Sequence, residues 1–198
     1  MPDRETIAWY DSAAETYAGK FGKGAPDERL TGFITLLQPG DRVLDLGCGP
    51  ARASAHMRDA GLDPLPVDAS QGMVDLANAT YGIGAQVMTF DDLDFDAEFA
   101  GVWANFSLLH APRDAFPRHL QAIARALLPG GVFHIALKTG AGMRRDHLGR
   151  QYTYLTVPEL RELLRDAGFT VIYEHEGREV GCAGTEDPFV AMRATKNA

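Results

Sequence analysis

The chain of 198 residues reads as one α/β domain, a three-layer doubly wound sheet of mostly parallel strands. Two observations predict this. From Arg42 onward, short uninterrupted apolar runs alternate with helical patterns, as parallel strands covered on both faces require. No repeat or linker-like stretch divides the chain, and its length suits a single hydrophobic core.

Residues 1–40 read as a helical cap ahead of a core at 41–198. Tyr10, Ala13, Ala14, Tyr17 and Phe21 recur at helical spacing before the breaker GKGAP at 22–26. Asp27 is placed to cap a second helix carrying Leu30, Phe33, Ile34 and Leu37, which Pro39-Gly40 stops. RVLDL at 42–46 is the first strand, followed by a helix over 51–60, the strand PLPV at 64–67 and a helix after Ser70. Pro64 and Pro66 lie two apart, so both missing N–H groups face one neighbour, and pairing on that side is expected to be weak. The strands AQVMTF (85–90) and FAGVWANF (99–106) come next. A helix over 114–128 presents Phe116, Leu120, Ile123 and Leu127, tolerates Pro117 in its first turn and stops at Pro129-Gly130-Gly131. VFHIALK at 132–138 is a strand, and Thr156 with Glu159 forms a capping box for a helix over 158–167 that ends at Gly168. FTVIYEH (169–175) and FVAMRAT (189–195) follow without a helix between them, which predicts an antiparallel pair.

Composition excludes several classes. At 45% hydrophobic and 23% charged residues the chain is an ordinary globular one. No apolar run approaches the roughly 18 residues of a membrane span, and MPDRETIAWYDSAAETY has no apolar signal core. Cys48 and Cys182 lack both a disulfide framework and metal-ligand spacing, so a reducing, cytoplasmic setting without membrane or metal is expected. A net charge of −8 argues against nucleic acid as a partner. Residues 59–112 hold nine acids and neither Lys nor Arg, so just over a quarter of the chain carries the acidic balance. Nothing specifies a dimer, leaving monomer or homodimer.

The informative stretch is Val43-Leu44-Asp45-Leu46-Gly47-Cys48-Gly49-Pro50, an apolar strand, an acid and two glycines ahead of a helix. Ligands of parallel sheets sit beyond the carboxyl ends of the strands, where a glycine turn admits close approach. A dinucleotide fingerprint needs a third glycine where Arg52 stands, and Asp45 suits a cationic ammonium better than a phosphate. Asp68, 23 residues after Asp45, is placed to bind the two hydroxyls of a ribose. A phosphate-free ribonucleoside carrying positive charge is the predicted ligand, a description that S-adenosylmethionine fits.

VLDLGCGPAR, the acid of PVDAS, FDDLDF, VWANFSLLH and RALLPGGVFHIALK resemble, in order, the motifs of the class I S-adenosylmethionine-dependent methyltransferases. The resemblance spans residues about 10–195 and implies a Rossmann-like sheet of seven strands, the last antiparallel, with S-adenosyl-L-homocysteine as product. It makes Asp45, Gly47 and Gly49 the cradle of the methionine moiety, with Cys48 and Arg52 in the same turn, and Asp68 the ribose acid beside Ala69 and Ser70. Met73, Phe90 and Asp91 are implied at the adenine, Asn105 and Phe106 near the methyl group, and Tyr10 and Tyr17 on a helix closing over the cofactor. Met73, Tyr10 and Tyr17 also suit the core, and most of the acidic cluster 91–98 suits a solvated loop.

Displacement at a sulfonium releases a neutral thioether and needs no general acid, so alignment, desolvation and, for a protonated acceptor, a base are the protein's tasks. His110 is the base candidate, with orienting the next loop as its alternative role. Lys138, Arg144, Arg145, His147 and Arg150, followed by Tyr152 and Tyr154, make the loop 138–155 basic, which suits either an anionic acceptor or a solvated lid. No Asn/Asp-Pro-Pro-aromatic motif follows the fourth strand, and no basic stripe suits a polymer, which leaves a small-molecule acceptor. SLLH and LPGG resemble small bacterial enzymes of the tellurite-resistance-like group, implying a thiol or chalcogen oxyanion as acceptor. The competing readings are a noncatalytic S-adenosylmethionine-binding protein and a nicotinamide-dependent oxidoreductase.

Overall fold

A computed structural model describes residues 2–21 and 24–197; Met1, Gly22 and Lys23 of the breaker, Ala198 and the side chain of Phe21 lie outside the described residues. Strands β1 (Arg42–Leu46), β2 (Asp63–Asp68), β3 (Gln86–Val87), β4 (Phe99–Asn105) and β5 (Leu127–Lys138) pair in parallel. A two-stranded hairpin, β6 (Met143–Arg145) with β7 (Gln151–Thr153), stands apart. β8 (Phe169–Val180) and β9 (Glu186–Lys196) complete a seven-stranded sheet in the order β3-β2-β1-β4-β5-β9-β8, in which β9 alone runs against the rest.

Side-chain alternation along the strands builds two core layers. Val43 and Trp103 face α2 (Glu28–Ile34) and α3 (Arg52–Asp59), where Phe33, Leu37 and Met57 pack. Leu44, Leu46 and Val102 face the opposite way, toward α5 (Phe116–Ala126) and α6 (Val157–Asp166), with Phe116, Leu120 and Leu160 wholly buried. Each such side chain contributes about 1.5–3 kcal/mol of transfer free energy. α1 (Arg4–Phe21) lies against α4 (Gln71–Tyr81), so close that a Cβ on Gly72 would come within 2.7 Å of the Asp11 carbonyl oxygen.

The local signals behave as their chemistry requires. Asp27 caps α2 by accepting from Leu30 N at 2.9 Å, and Thr156 with Glu159 forms the box that starts α6. β2 pairs with β1 over residues 63–67 but meets β3 only at Val67 and Asp68. Val67 O accepts from Gly47 N, on the β1 side, so Pro64 and Pro66 fall on the β3 side, where the ladder is missing.

Several boundaries differ from the sequence reading, among them the helix expected over 114–128, which spans Phe116–Ala126, and the last two strands, which lengthen to β8 and β9. The expected strand 85–90 shortens to β3 because Thr89 and Asp92 cap a 3₁₀ turn over Phe90–Asp92. β5 begins at Leu127 rather than Val132, since Leu127 already pairs with Phe99 ahead of an irregularity. The loop 138–155 is not a structureless lid; β6 and β7 fold it into a hairpin.

Candidate active site

β1 and β4 are neighbours where the strand order reverses, so the loops leaving their carboxyl ends diverge and open a crevice. Gly47 adopts φ +78°, and a Cβ there would lie 2.3 Å from Ser107 Cβ, so only glycine fits. Gly47 N and Cys48 N donate to Val67 O at 2.8 and 2.9 Å, tying this turn to the end of β2. There Asp68 accepts from Gly49 N at 2.8 Å and from Ser70 N at 2.9 Å. Asp45 is only 2% exposed and accepts from Ser54 Oγ at 2.6 Å. Burial, reinforced by the charge of Asp68, outweighs that hydrogen bond and pushes the Asp45 carboxyl up to about 7. Burial also raises Asp68, against the backbone N–H groups it accepts from.

α1 roofs the crevice. Asp11 Oδ1 accepts from Ser70 Oγ at 2.6 Å and from Gly72 N at 3.0 Å. Ser70 Oγ in turn caps α4 by accepting from Met73 N at 3.1 Å.

Two cavities meet under this roof. The first, about 890 Å³ including its open mouth, is lined by Asp68, Ala69, Ser70, Met73, Phe90 and Asp91. The second, about 1250 Å³, is lined by Asp45, Cys48, Arg52, Lys138, Arg150 and Tyr152. Tyr10, Tyr17, Gly47, Gly49, Asn105, Phe106 and His110 belong to both linings and form the wall between them. The sequence-derived ribose and adenine residues thus gather on one side, and Asp45, Cys48 and Arg52 with Lys138, Arg150 and Tyr152 of the basic loop on the other.

Arg145 and Tyr154 line neither cavity. Arg145 donates to Asp3 Oδ2 at 2.7 Å and to Gly149 O at 2.7 Å, fastening the hairpin to the start of α1. Tyr154 is buried beneath Arg144, whose guanidinium lies 4.2 Å from its ring centroid. The remaining cations of the loop are also internally engaged. Lys138 Nζ donates to Asp187 Oδ2 at 2.7 Å. Arg150, 1% exposed, donates to Asp146 Oδ2 through Nη2 at 2.7 Å and lies 4.5 Å over the Trp9 ring. Asp91 accepts from Arg118 Nη2 at 2.8 Å. The Cys48 thiol is pushed well up by burial and by Asp45, so it stays protonated.

His110 has both nitrogens occupied. Nδ1 lies 2.7 Å from Gln151 O and Nε2 lies 3.0 Å from Tyr10 Oη. A carbonyl only accepts, so Nδ1 carries the proton and Nε2 accepts from the Tyr10 hydroxyl, which itself receives Arg150 Nη1 at 3.2 Å. Burial lowers the imidazole to about 4, and Arg150 and Lys138 act in the same direction. The ring is therefore neutral at pH 7.

Several site residues escaped the sequence reading. Asp11, Trp9, Glu179, Asp187 and Phe189 belong to no motif and converge only through the fold. Arg29, from the first turn of α2, lies over Phe106 and Phe189 at 5.3 and 5.2 Å and pairs with Asp27 and Glu179. The one available signal was the apolar alternation of the last two strands, which understates a hairpin reaching to Val180 and Glu186.

Residues 43–131 match the family described as a methyltransferase domain. An O-methyltransferase from Penicillium expansum is 31% identical over 199 residues, spanning 86% of this chain and 66% of that protein. An uncharacterised methyltransferase from Synechocystis is 28% identical over 162 residues, covering 70% of this chain and 71% of its own length. Among solved structures, the 1,6-didemethyltoxoflavin N1-methyltransferase of Burkholderia thailandensis, with 1,6-didemethyltoxoflavin and S-adenosylhomocysteine bound, superposes with a TM-score of 0.71 at 26% identity, over 97% of this chain and 88% of that one. Among the described residues, no helix is long and apolar enough to cross a membrane. With the reversed strand order, the glycine turn at its switch point and these likenesses, the chain is a class I S-adenosylmethionine-dependent methyltransferase.

Proposed function

We propose that the enzyme methylates a small molecule entered through the second cavity, and that the acceptor is a thiol or chalcogen oxyanion. The observation that carries this is the occupied state of His110: its proton is committed to Gln151 O and its lone pair to Tyr10, so no free base stands at the wall between the cavities. An acceptor already ionised near neutral pH needs none. The resemblance to the tellurite-resistance-like group supports the same class.

The residues fit the cofactor chemically. Ser107 and the positive φ keep position 47 a glycine, so the turn presents bare backbone to both cavities. Asp45 and Asp68 are carboxylates held above their ordinary range by burial, which a cation and a pair of hydroxyls would each relieve. In this reading Asp45, Gly47 and Gly49, with Cys48 and Arg52 beside them, hold the methionine end. Asp68, Ala69 and Ser70 hold the ribose, and Met73, Phe90 and Asp91 enclose the adenine. When bound, S-adenosylmethionine supplies an electrophilic methyl carbon. Asn105 and Phe106 orient the acceptor against it, Tyr10 and Tyr17 exclude water, and Lys138, Arg150 and Tyr152 shape the acceptor's side. His110 holds the Tyr10 hydroxyl in place. Residues 1–198 act as one domain, with 1–40 as cap and 138–155 as the acceptor-side segment, as monomer or homodimer in a reducing, cytoplasmic setting.

Isothermal titration with S-adenosylhomocysteine, followed by a screen of small thiols and oxyanions that detects its release, tests this. Binding with release from a thiol or chalcogen acceptor is expected. Binding with no release from any acceptor would favour a noncatalytic role, and turnover abolished in His110→Ala only for protonated acceptors would restore the base.

A further inference from the structure

His134, on β5, lies beneath the wall between the two cavities. Its ring is fully buried, stacks on Trp103 with centroids 3.8 Å apart, and places Nε2 3.1 Å from Asn105 Oδ1. Among the described residues, two buried side-chain polar atoms lack a partner, His134 Nδ1 and Arg193 Nε. These belong to directly paired residues of β5 and β9, whose side chains leave the sheet on the same face. An arginine nitrogen only donates. The two atoms are not hydrogen-bonded to each other, but on a face shared with the Arg193 guanidinium a bare Nδ1 lone pair is favoured over an Nδ1–H, which would add a second donor beside a positive charge. Burial keeps the ring neutral, and the positive charges of Arg29 and Arg193 act in the same direction.

The imidazole proton therefore sits on Nε2 and is donated to Asn105 Oδ1. That engages the amide oxygen and leaves Nδ2 as the free end of a side chain that lines both cavities. Nδ2 has no partner among the described residues.

We infer that His134 is a positioning residue, holding Asn105 with its amide N–H donors toward the transfer site, and so selects an acceptor atom that offers a lone pair or negative charge. An amine bearing N–H groups needs acceptors around it, and finds the donor end of Asn105 instead. The inference rests on the proposed function for its substrate class but not for the orientation of Asn105.

Imidazole nitrogen spectra of 15N-histidine-labelled protein saturated with S-adenosylhomocysteine test the orientation, with His134→Gln assigning the signal. The Nε2–H tautomer is expected from about pH 6 to pH 9; an Nδ1–H tautomer overturns the proposal. Benzenethiol and aniline serve as matched acceptor probes. The wild type should turn over benzenethiol at least about tenfold faster than aniline, and a preference for aniline also overturns it. His134→Leu should lower kcat for benzenethiol about tenfold with KM for S-adenosylmethionine unchanged, and His134→Gln, which keeps a donor to Asn105, should restore it to within about threefold. An unaffected His134→Leu, or a His134→Gln no better than it, counts against the positioning role. Calorimetry with S-adenosylhomocysteine and melting curves on each variant separate this from the cofactor reading. If the wild type binds none, the proposed function falls; if neither probe is methylated, the tautomer alone decides the positioning.

Discussion

The two cavities are walled by different means. The first lies over the ends of β1, β2 and β4 and the turn after β3, with α1 as its roof, and its main fixed groups are the Gly49 and Ser70 amides aimed at Asp68. The second draws on α2, β5, the β6–β7 hairpin and the far end of β8–β9, and its charges are matched in pairs: Arg29 with Glu179, Lys138 with Asp187, Arg150 with Asp146. A site of backbone groups tolerates little change in the turn that forms it, whereas paired side chains on separate elements can be exchanged pair by pair. The comparison also revises the charge asymmetry. The basic loop does not wait open for an anion; its cations are committed to internal partners.

Arg150→Met breaks the second wall most severely. It keeps the volume but strands the Asp146 carboxylate and removes the donor to Tyr10, for a cost of about 3–4 kcal/mol, read by urea denaturation. A loss below about 1 kcal/mol would mean that the second cavity is not built on this arginine.

Acidification attacks the shared wall. His110 titrates at about 4 in the folded protein against an ordinary 6.5, so the unfolded chain binds the proton first. Stability should fall as pH drops from 6.5 to about 4, by up to about 3 kcal/mol, and His110→Gln should flatten that slope. Equal slopes in the two proteins would contradict the buried neutral imidazole.

Asp45 sharpens the first cavity with the opposite sign. Its folded value of about 7 exceeds the ordinary 3.8, so the stabilisation from its protonated form is present at low pH and is lost as pH rises toward 7. The ammonium group of the ligand's amino-acid end needs the carboxylate, so affinity for S-adenosylhomocysteine should rise by up to about tenfold per pH unit below about 7, with proton release. Titrations in buffers of different ionisation enthalpy measure it, and an Asp45→Asn variant with an unchanged pH dependence would exclude Asp45 as the source.

Arg145→Ala should do least. Its pairs with Asp3 and Glu5 are partly exposed and screened by solvent, and it lines neither cavity, so the KM of an acceptor should not move. A raised KM would bring the hairpin back into acceptor binding.

What was legible follows from how local each cause is. The Asp27 cap, the Thr156–Glu159 box and the proline-blocked side of β2 depend on residues a few positions apart, and each appears in the structure. The six-residue strand expected at 85–90 is cut short because Thr89, with Asp92 just beyond the stretch, offers the backbone a tight turn instead. Arg150 belongs to a loop whose sequence suits either an anionic acceptor or a solvated lid, since nothing within the loop reveals that Trp9 and Tyr10, some 140 positions earlier, close over it.

By itself the sequence determined the strand-helix alternation, the glycine turn after β1 and the two acids that flank it, because periodicity and backbone sterics act within a few residues. The tertiary structure alone decided that Arg150 is buried, that His110 is occupied from both sides and that His134 turns the amide of Asn105. Desolvation and hydrogen-bond direction depend on which distant groups are brought together, and only packing sets that.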